Sequence, residues 1–558
     1  MTDYDNGING ATGDYLFPIG TDKQIATQAK AIVTGISIAD DPHRGELDNR
    51  AALRNRSMHP AAWVDPTDLA TAGWGVIFAH TYAHYTLEAL QSDDGLGLLL
   101  AHRQRQATQR RDDYYKTFIF NPKWDKPKFL AAHDAPISGA VDPDRGMPYY
   151  LLIVGDPATI PYEFQYQLDV QYAVGRLYFD TLEEYAYYAQ SVVRAEEKQM
   201  ARPRQIKFWG ASNSGDNATQ LSAKHLVNPL AQWLIDKHPD WATTPLIGNN
   251  DLDPTLSATK VNLDRLLNQE AAPAILFTAS HGVGYPKGHP QQRDFQGAFV
   301  TQEWAKFLGT PNPEEHLFAA ADLQANADLH GMIAFHFACY GLGTPQFNDF
   351  SHKDGELELA DQPFVARLPQ ALLSHPKGGA LAVIGHVDRA WTHSFKNGSV
   401  KQWAVFQSAL TCLMQDCPVG YAMEFFNQEY AELASDCNQG IRNENKRDKE
   451  IAELWTRSHN ARNFAIFGDP AVKVAVGQTT AERSTDTEPV VWFKPSNRSA
   501  PPSTNRTAPQ PTAQPLSELP ERLPQLEKHV QALQAETADL RQEIVTLKQR
   551  LSSLDGKG

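Results

Sequence analysis

Two short, nearly continuous apolar runs constrain this chain most. Ala274-Ile275-Leu276-Phe277-Thr278-Ala279-Ser280 ends in His281-Gly282. Met332-Ile333-Ala334-Phe335-His336-Phe337-Ala338-Cys339 ends in Tyr340-Gly341, 58 residues further on. Runs of this length without polar alternation read as strands buried on both faces. Each delivers a reactive side chain at its C-terminal tip, and the pair suggests a thiol nucleophile and its base.

The same rhythm extends along most of the chain. Further strands are expected at Tyr149–Val154, Val170–Tyr178, Gln205–Gly210 and Ala380–Gly385. Helices are expected near Leu87–Arg105, Thr181–Glu197, Ala218–Lys237, Lys260–Gln269, Glu314–Ala327 and Pro363–Ser374. Apolar strands alternating with helices imply an α/β fold whose mostly parallel sheet is covered on both faces. In such sheets, sites form beyond the carboxyl ends of strands, where His281 and Cys339 both fall.

At 558 residues the chain exceeds one compact core. Residues 1–60 are polar and Gly/Asp-rich and read as a partly ordered N-terminal extension. Residues 61–200 and 201–476 read as two α/β subdomains, the second holding both reactive tips. Residues 477–520, rich in Pro, Ser, Thr and Gln, read as a flexible linker. Residues 521–558 are different again: Leu526, Leu533, Leu540, Leu547 and Leu554 recur every seven positions, with Leu523, Val530, Thr537, Ile544 and Leu551 at the other apolar position. That is a coiled-coil heptad, and its β-branched residues favour a parallel two-stranded coil. It predicts a homodimer or a helical partner through residues 523–554; the alternative is a solitary amphipathic helix docked on the body.

Composition narrows the partners. Net charge is −15, from 51 Lys and Arg against 66 Asp and Glu, which argues against general binding to nucleic acid or anionic membranes. No apolar run is long enough for a spanning helix. Met1–Gly20 carries no basic region followed by an apolar core, so no secretory leader is visible there. The four cysteines (Cys339, Cys412, Cys417 and Cys437) make no disulfide framework. Together these favour a reducing, cytoplasmic setting. Cys412 and Cys417 lack a matching Cys/His pair for zinc and read as helix-packing residues, so no metal site is expected.

A thiol needs a neighbouring imidazole to react near neutral pH, and backbone N–H groups to stabilise the oxyanion that its attack creates. Glycines beside His281 and near Cys339 permit close approach of backbone and substrate. His336 lies inside its strand and reads as a packed core histidine, and Ser280 as a turn residue. Gly282-Val283-Gly284 lacks the context of a dinucleotide loop.

An apolar strand, His-Gly, a spacer, another apolar strand and Ala-Cys together resemble the clan CD cysteine peptidases, which include caspases, gingipains and CHAT domains. Phe337-Ala338-Cys339-Tyr340-Gly341 lacks the Gln that opens the caspase signature, so caspase preference for Asp does not carry over. Leu151–Asp156 resembles the gingipain-like strand ending in Gly-Asp, Val174-Gly175-Arg176 its following Val-Gly-Arg strand, Ala380–Gly385 the strand after the nucleophile, and Phe467-Gly468-Asp469-Pro470 the closing Gly-Asp-Pro. The resemblance covers roughly residues 145–476. It implies a caspase-like three-layer α/β/α fold of gingipain (C25)/CHAT character and a cysteine endopeptidase acting through a thioester. It also implies Cys339 as nucleophile, His281 as base, the amides of Gly282 and Cys339 as oxyanion donors, a protein or peptide substrate, and no cofactor. A Cys-His dyad suffices in this family, and the sequence singles out no third residue. By analogy alone the family suggests regulated bacterial defence or cell death.

Three residues are candidates for substrate binding. Asp388 and Trp391 follow the strand Ala380–Gly385, where Asp388 would meet a basic P1 side chain or form an ion pair with Arg389. Asp169, before the Val-Gly-Arg strand, is a rival. The acid-rich loop Asp349–Asp361 reads either as a frame for the site entrance or as a solvated surface loop. Two other functions stay open: a catalytically silent caspase-like scaffold assembled by its coil, and a different thiol enzyme such as an amidase or transpeptidase.

Overall fold

The computed structural model describes residues 7–16, 22–34, 60–197, 201–350, 358–397, 400–401, 403–443 and 446–477. The expected coiled coil and all but the first residue of the expected linker lie outside the described residues. In chain order the strands are β1 (Gly7–Asn9), β2 (Trp74–Phe78), β3 (Tyr115–Ile119), β4 (Tyr150–Val154), β5 (Ala173–Leu177), β6 (Gln205–Gly210), β7 (Ala242–Ile247), β8 (Ile275–Ala279), β9 (Gly282–Gly284), β10 (Phe299–Val300), β11 (Leu317–Phe318) and β12 (Ile333–Phe337). They continue as β13 (Gly343–Thr344), β14 (Phe364–Val365), β15 (Ala382–His386), β16 (Lys396–Asn397), β17 (Val400–Lys401) and β18 (Phe464–Gly468).

Ten of these form one sheet in the order β3-β2-β4-β5-β18-β15-β12-β8-β6-β7. Every neighbouring pair is parallel except β15 with β18. The sheet is therefore two five-stranded parallel blocks running in opposite directions, joined at the β15–β18 seam. The segment 61–200 supplies β2 to β5, and the segment 201–476 supplies the other block together with β18. The central strands β4, β5, β8, β12, β15 and β18 are buried along their whole length. That is why their sequences are apolar without alternation. A separate small sheet, β1-β9-β10-β11, sits beyond β8 in the chain path.

Several helices begin where the sequence supplies a cap. Thr181 and Glu184 form a reciprocal capping box at the start of Leu182–Glu196, and that helix packs on Gly97–Ala107. The long helices Glu424–Arg442 and Asp448–Asn463 pack together, and Asp22–Thr34 of the N-terminal extension lies against the second of them.

The family-like motifs hold the first block together and fasten β18 into it. Arg176, fully buried, donates through Nε to Gln165 Oε1 at 2.9 Å, through Nη1 to the Gly155 carbonyl at 2.9 Å and through Nη2 to the Ile160 carbonyl at 2.8 Å. A Cβ at Gly175 would stand 2.1 Å from the Gly468 carbonyl, so only glycine lets β18 pack this closely on β5. Asp469 accepts from Arg103 Nε at 2.6 Å and from Trp74 Nε1 at 3.0 Å, and Arg103 also pairs with Glu196 at 2.6 Å. Burial opposes the Arg103 charge, and the two carboxylates more than offset it.

Two expectations fail. The stretch Glu314–Ala327 is helical only over Pro313–His316, after which the chain enters β11 and a short turn. Leu317 and Phe318 are drawn into pairing with β10, and that tertiary contact overrides local propensity. Leu87–Arg105 is two helices, Leu87–Gln91 and Gly97–Ala107, broken where Ser92 caps the first and Gly95 and Gly97 follow.

Replacing Asp469 with Ala leaves Arg103 Nε and Trp74 Nε1 buried without their acceptor. The cost is about 3 kcal/mol of unfolding free energy, at the low end for a broken buried pair because Glu196 still holds the guanidinium. Denaturant titration of both proteins checks this, and an unchanged midpoint would show the network to be dispensable.

Candidate active site

β8 and β12 pair in parallel over five residues, ending at Ala279 opposite Phe337. His281 and Cys339 each lie two residues beyond that last pair, so they leave neighbouring strands at equivalent positions. The two main chains are in close contact: a Cβ on Gly282 would stand 1.8 Å from the Cys339 carbonyl oxygen and 3.0 Å from its amide nitrogen. Glycine after His281 is therefore a steric requirement of the site. Both side chains are fully buried.

The imidazole is held from one side. His281 Nε2 lies 2.9 Å from Asp216 Oδ2, with both groups buried. Asp216 caps the helix Asn217–Ser222 and also accepts from the Thr219 N–H at 2.9 Å and the Thr219 hydroxyl at 2.5 Å. Tyr15 donates its hydroxyl to the other oxygen, Oδ1. Burial works against ionising Asp216, yet His281 and these hydrogen bonds overcome it and hold the carboxyl well below the usual carboxylate range. An ionised carboxylate at Nε2 fixes the proton there and leaves Nδ1 as the acceptor. Nδ1 is buried and makes no hydrogen bond. The rings of Trp304 and Tyr15 meet the imidazole edge-on at 6.1 and 5.7 Å.

The thiol sits in a cradle made by the chain after β15. The Ala390 N–H donates to Cys339 Sγ at 3.2 Å, and Tyr340 N–H donates to the Asp388 carbonyl at 2.7 Å. The thiol in turn donates to the Ala390 carbonyl at 3.8 Å. Tyr340 and Asp388 both have positive φ, 56° and 89°. For residues other than glycine this is backbone strain, and it brackets the thiol on both sides.

Asp216 is the residue that sequence reasoning missed. Its signal was positional: it follows β6, the strand beside β8, on the sheet edge that carries His281. His336 is buried inside β12 with its pKa pushed down to about 3 by burial, so it is a neutral core histidine. His386, at the end of β15, is held in the same way at about 3.

Of the substrate-binding candidates, Asp388 lies on the segment that cradles the thiol, its backbone carbonyl bound to the Tyr340 N–H. Its Oδ1 lies 3.5 Å from Arg389 Nη1, while its Oδ2 is buried and makes no hydrogen bond. Trp391 lies three residues further on but is packed inward, its ring 5.0 Å from Phe350 and its backbone N–H donated to Asn460 Oδ1. Asp169 ends the helix Tyr162–Asp169 before β5, three strand positions from β12, or about 14 Å along the sheet. Of the acidic loop, Asp349 is buried against Arg462 Nη2 at 2.5 Å, and Asp361 pairs with Lys287 at 3.3 Å.

His281, held by the Asp216 carboxylate, and the buried Cys339 thus end neighbouring strands of a mostly parallel α/β sheet. The sequence model of peptidase family C25 matches residues 137–475, more than half of the chain. The chain belongs to this family, the gingipain type of clan CD cysteine peptidases. No curated protein matches it. Among solved structures, one described as "Structure of Protease" matches with 13% identity and a TM-score of 0.40, covering 73% of this chain and 80% of that one. Among the described residues, no helix is long and apolar enough to cross a membrane.

Asp388 gives a pH signature. Burial and Asp349 push its carboxyl up to about 6, against the pull of Arg389 and Arg462. The unfolded chain releases this proton near pH 4. The folded chain thus binds an extra proton between about pH 4 and 6, so Asp388 favours folding at pH 4 and loses that contribution as the pH rises through 6. Asp388→Asn is expected to raise unfolding free energy at pH 7 by about 1–3 kcal/mol and to change it little at pH 4. Denaturant titration at both pH values checks the sign; a loss of stability at pH 7 would refute it.

Proposed function

We propose that the protein is an endopeptidase in which Cys339 is the nucleophile, His281 the general base and acid, and Asp216 the residue that orients and charges the imidazole. One observation carries this reading: in-register strands deliver His281 and Cys339 side by side, with Nε2 bound to a buried carboxylate and Nδ1 left to take a proton. His281 Nδ1 accepts the thiol proton as Sγ attacks the peptide carbonyl. The amides of Gly282 and Cys339, where the two main chains meet, stabilise the oxyanion. The tetrahedral intermediate collapses to a thioester as the leaving amine takes the proton from Nδ1. Water, deprotonated by the same nitrogen, then attacks the thioester carbonyl and releases the acid and the thiol. Asp216 stays ionised throughout and stabilises the imidazolium.

The substrate side chain before the scissile bond is basic in this reading. Asp388 supports it: a buried carboxylate one backbone hydrogen bond from the residue after the nucleophile, with one oxygen lacking a donor. An Arg or Lys side chain would supply that donor and favour the ionised carboxylate. The heptads over residues 523–554 support self-association of the full chain, with two catalytic bodies on one coil. Deleting residues 521–558 is then expected to halve the mass seen by light scattering; an unchanged mass refutes the dimer.

Prolonged treatment with a peptidyl acyloxymethyl ketone bearing Arg is expected to label the protein, with labelling lost in Cys339→Ala and at least tenfold slower in His281→Ala. On a fluorogenic panel, kcat/KM for Arg and Lys substrates is expected to fall about 100-fold in Asp388→Asn, as a charge-assisted contact is lost. Cleavage after Asp or Asn but not after Arg or Lys would overturn the basic preference. No labelling of Cys339 in any form of the protein would favour a silent scaffold.

A further inference from the structure

Residues 7–16 of the N-terminal extension fold into a hairpin over the site. β1 pairs in parallel with β9, Gly7 opposite Gly282 and Asn9 opposite Gly284, and the Gly10 N–H continues the ladder to the Gly284 carbonyl at 2.8 Å. The chain turns through Asn9–Asp14 and returns, so that Tyr15 bridges back to Ile8. β9 is the strand that leaves His281, and its other edge is taken by β10.

The hairpin touches every group in the proposed mechanism. A Cβ on Gly7 would stand 2.9 Å from Cys339 Sγ and 3.1 Å from Cys339 Cβ, so Gly7 lies directly on the nucleophile. Tyr15 donates to Asp216 and sets its ring against His281. Leu16 fills the space beside Gly7 and Gly284. With the hairpin seated, both Cys339 and His281 are fully buried, and no peptide bond can approach the sulfur.

Three side chains anchor the hairpin: Ile8, and Tyr15 and Leu16, which pack half-buried on the body. Ile8 is its only fully buried large apolar side chain. Gly7, Gly10 and Gly13 present no side chain, and main-chain pairing supplies most of the rest. An extended peptide pairing with a free sheet edge makes the same kind of contact.

We propose that the β9 edge is the surface on which an extended substrate lays its main chain, and that residues 7–16 occupy this edge as a displaceable plug that keeps the enzyme latent. This rests on the peptidase reading above. Access to the nucleophile is then set by a competition for one strand edge, and whatever removes or pulls away the hairpin activates the enzyme.

Alkylation of Cys339 by iodoacetamide, followed by peptide mass mapping, tests the plug without requiring peptidase activity. The variants are Gly7→Val, whose side chain cannot fit against Sγ, and a chain lacking residues 1–16. Cys339 is expected to react at least tenfold faster in both than in the intact chain, while Cys412, Cys417 and Cys437 keep their rates. A synthetic peptide of residues 7–16 is expected to restore protection to the shortened chain and to raise KM for a peptide substrate without changing kcat. Unchanged alkylation in both variants overturns the plug. So does a parallel rise at all four cysteines, which would make the hairpin part of the folded core, and so does failure of the added peptide to protect. Faster alkylation at Cys339 with no hydrolysis of any peptide leaves the plug standing and removes the peptidase reading.

Discussion

The in-register pairing of β8 with β12 is the constraint on which the rest of the site depends. It sets His281 and Cys339 at matched positions two residues past Ala279 and Phe337. A slip of one residue would turn each strand over and send both side chains to opposite faces of the sheet. The pairing is strongly specified because both strands are buried along their whole length. The approach of Gly282 to the Cys339 carbonyl then holds the two main chains together just beyond the sheet.

The motifs that mark the family do little chemistry themselves. Arg176 ties the end of β4 to the start of the following helix, Gly175 makes room for β18, and Asp469 binds the first block through Trp74 and Arg103. Their common role is to fasten β18 into the first block, on the strand that forms one side of the antiparallel seam. β15 is the other side of that seam, and the chain leaving β15 carries Asp388 and the Ala390 N–H that points at the thiol. The route from the Gly-Asp-Pro motif to Cys339 is therefore short: β18 sets β15, and β15 sets the cradle.

This explains what the sequence disclosed. β4, β8, β12 and β15 are apolar throughout because they are central, and they were legible for that reason. β2, β3 and β7 were missed. β3 and β7 are the edge strands of the sheet and half-exposed, so their residues mix polar and apolar. The helix expected over Glu314–Ala327 lost to a strand pairing that only the fold supplies. Asp216 was invisible for a different reason. It looks like an ordinary helix cap, and it is one; its second oxygen contact, to His281, comes from the adjacency of β6 and β8. The extension before residue 60 reads as partly ordered, but its pairing with β9 was not legible, because a strand edge needs only main chain to pair with.

The electrostatics of the site survive opening. Asp216 is buried and ionised, which in isolation is costly. Tyr15 is one of its donors, and it leaves with the hairpin. The Thr219 N–H, the Thr219 hydroxyl and His281 Nε2 remain on the other oxygen. Water admitted to Oδ1 replaces the phenol, so the carboxylate keeps its charge and the imidazole keeps its tautomer. The cradle around the sulfur belongs to the segment after β15 and does not involve residues 7–16. The reactive groups are thus assembled before the edge is exposed, and latency lies in access alone. In the proposed reading, activity is gained by losing a ten-residue contact, without any rearrangement of the sheet that carries Cys339.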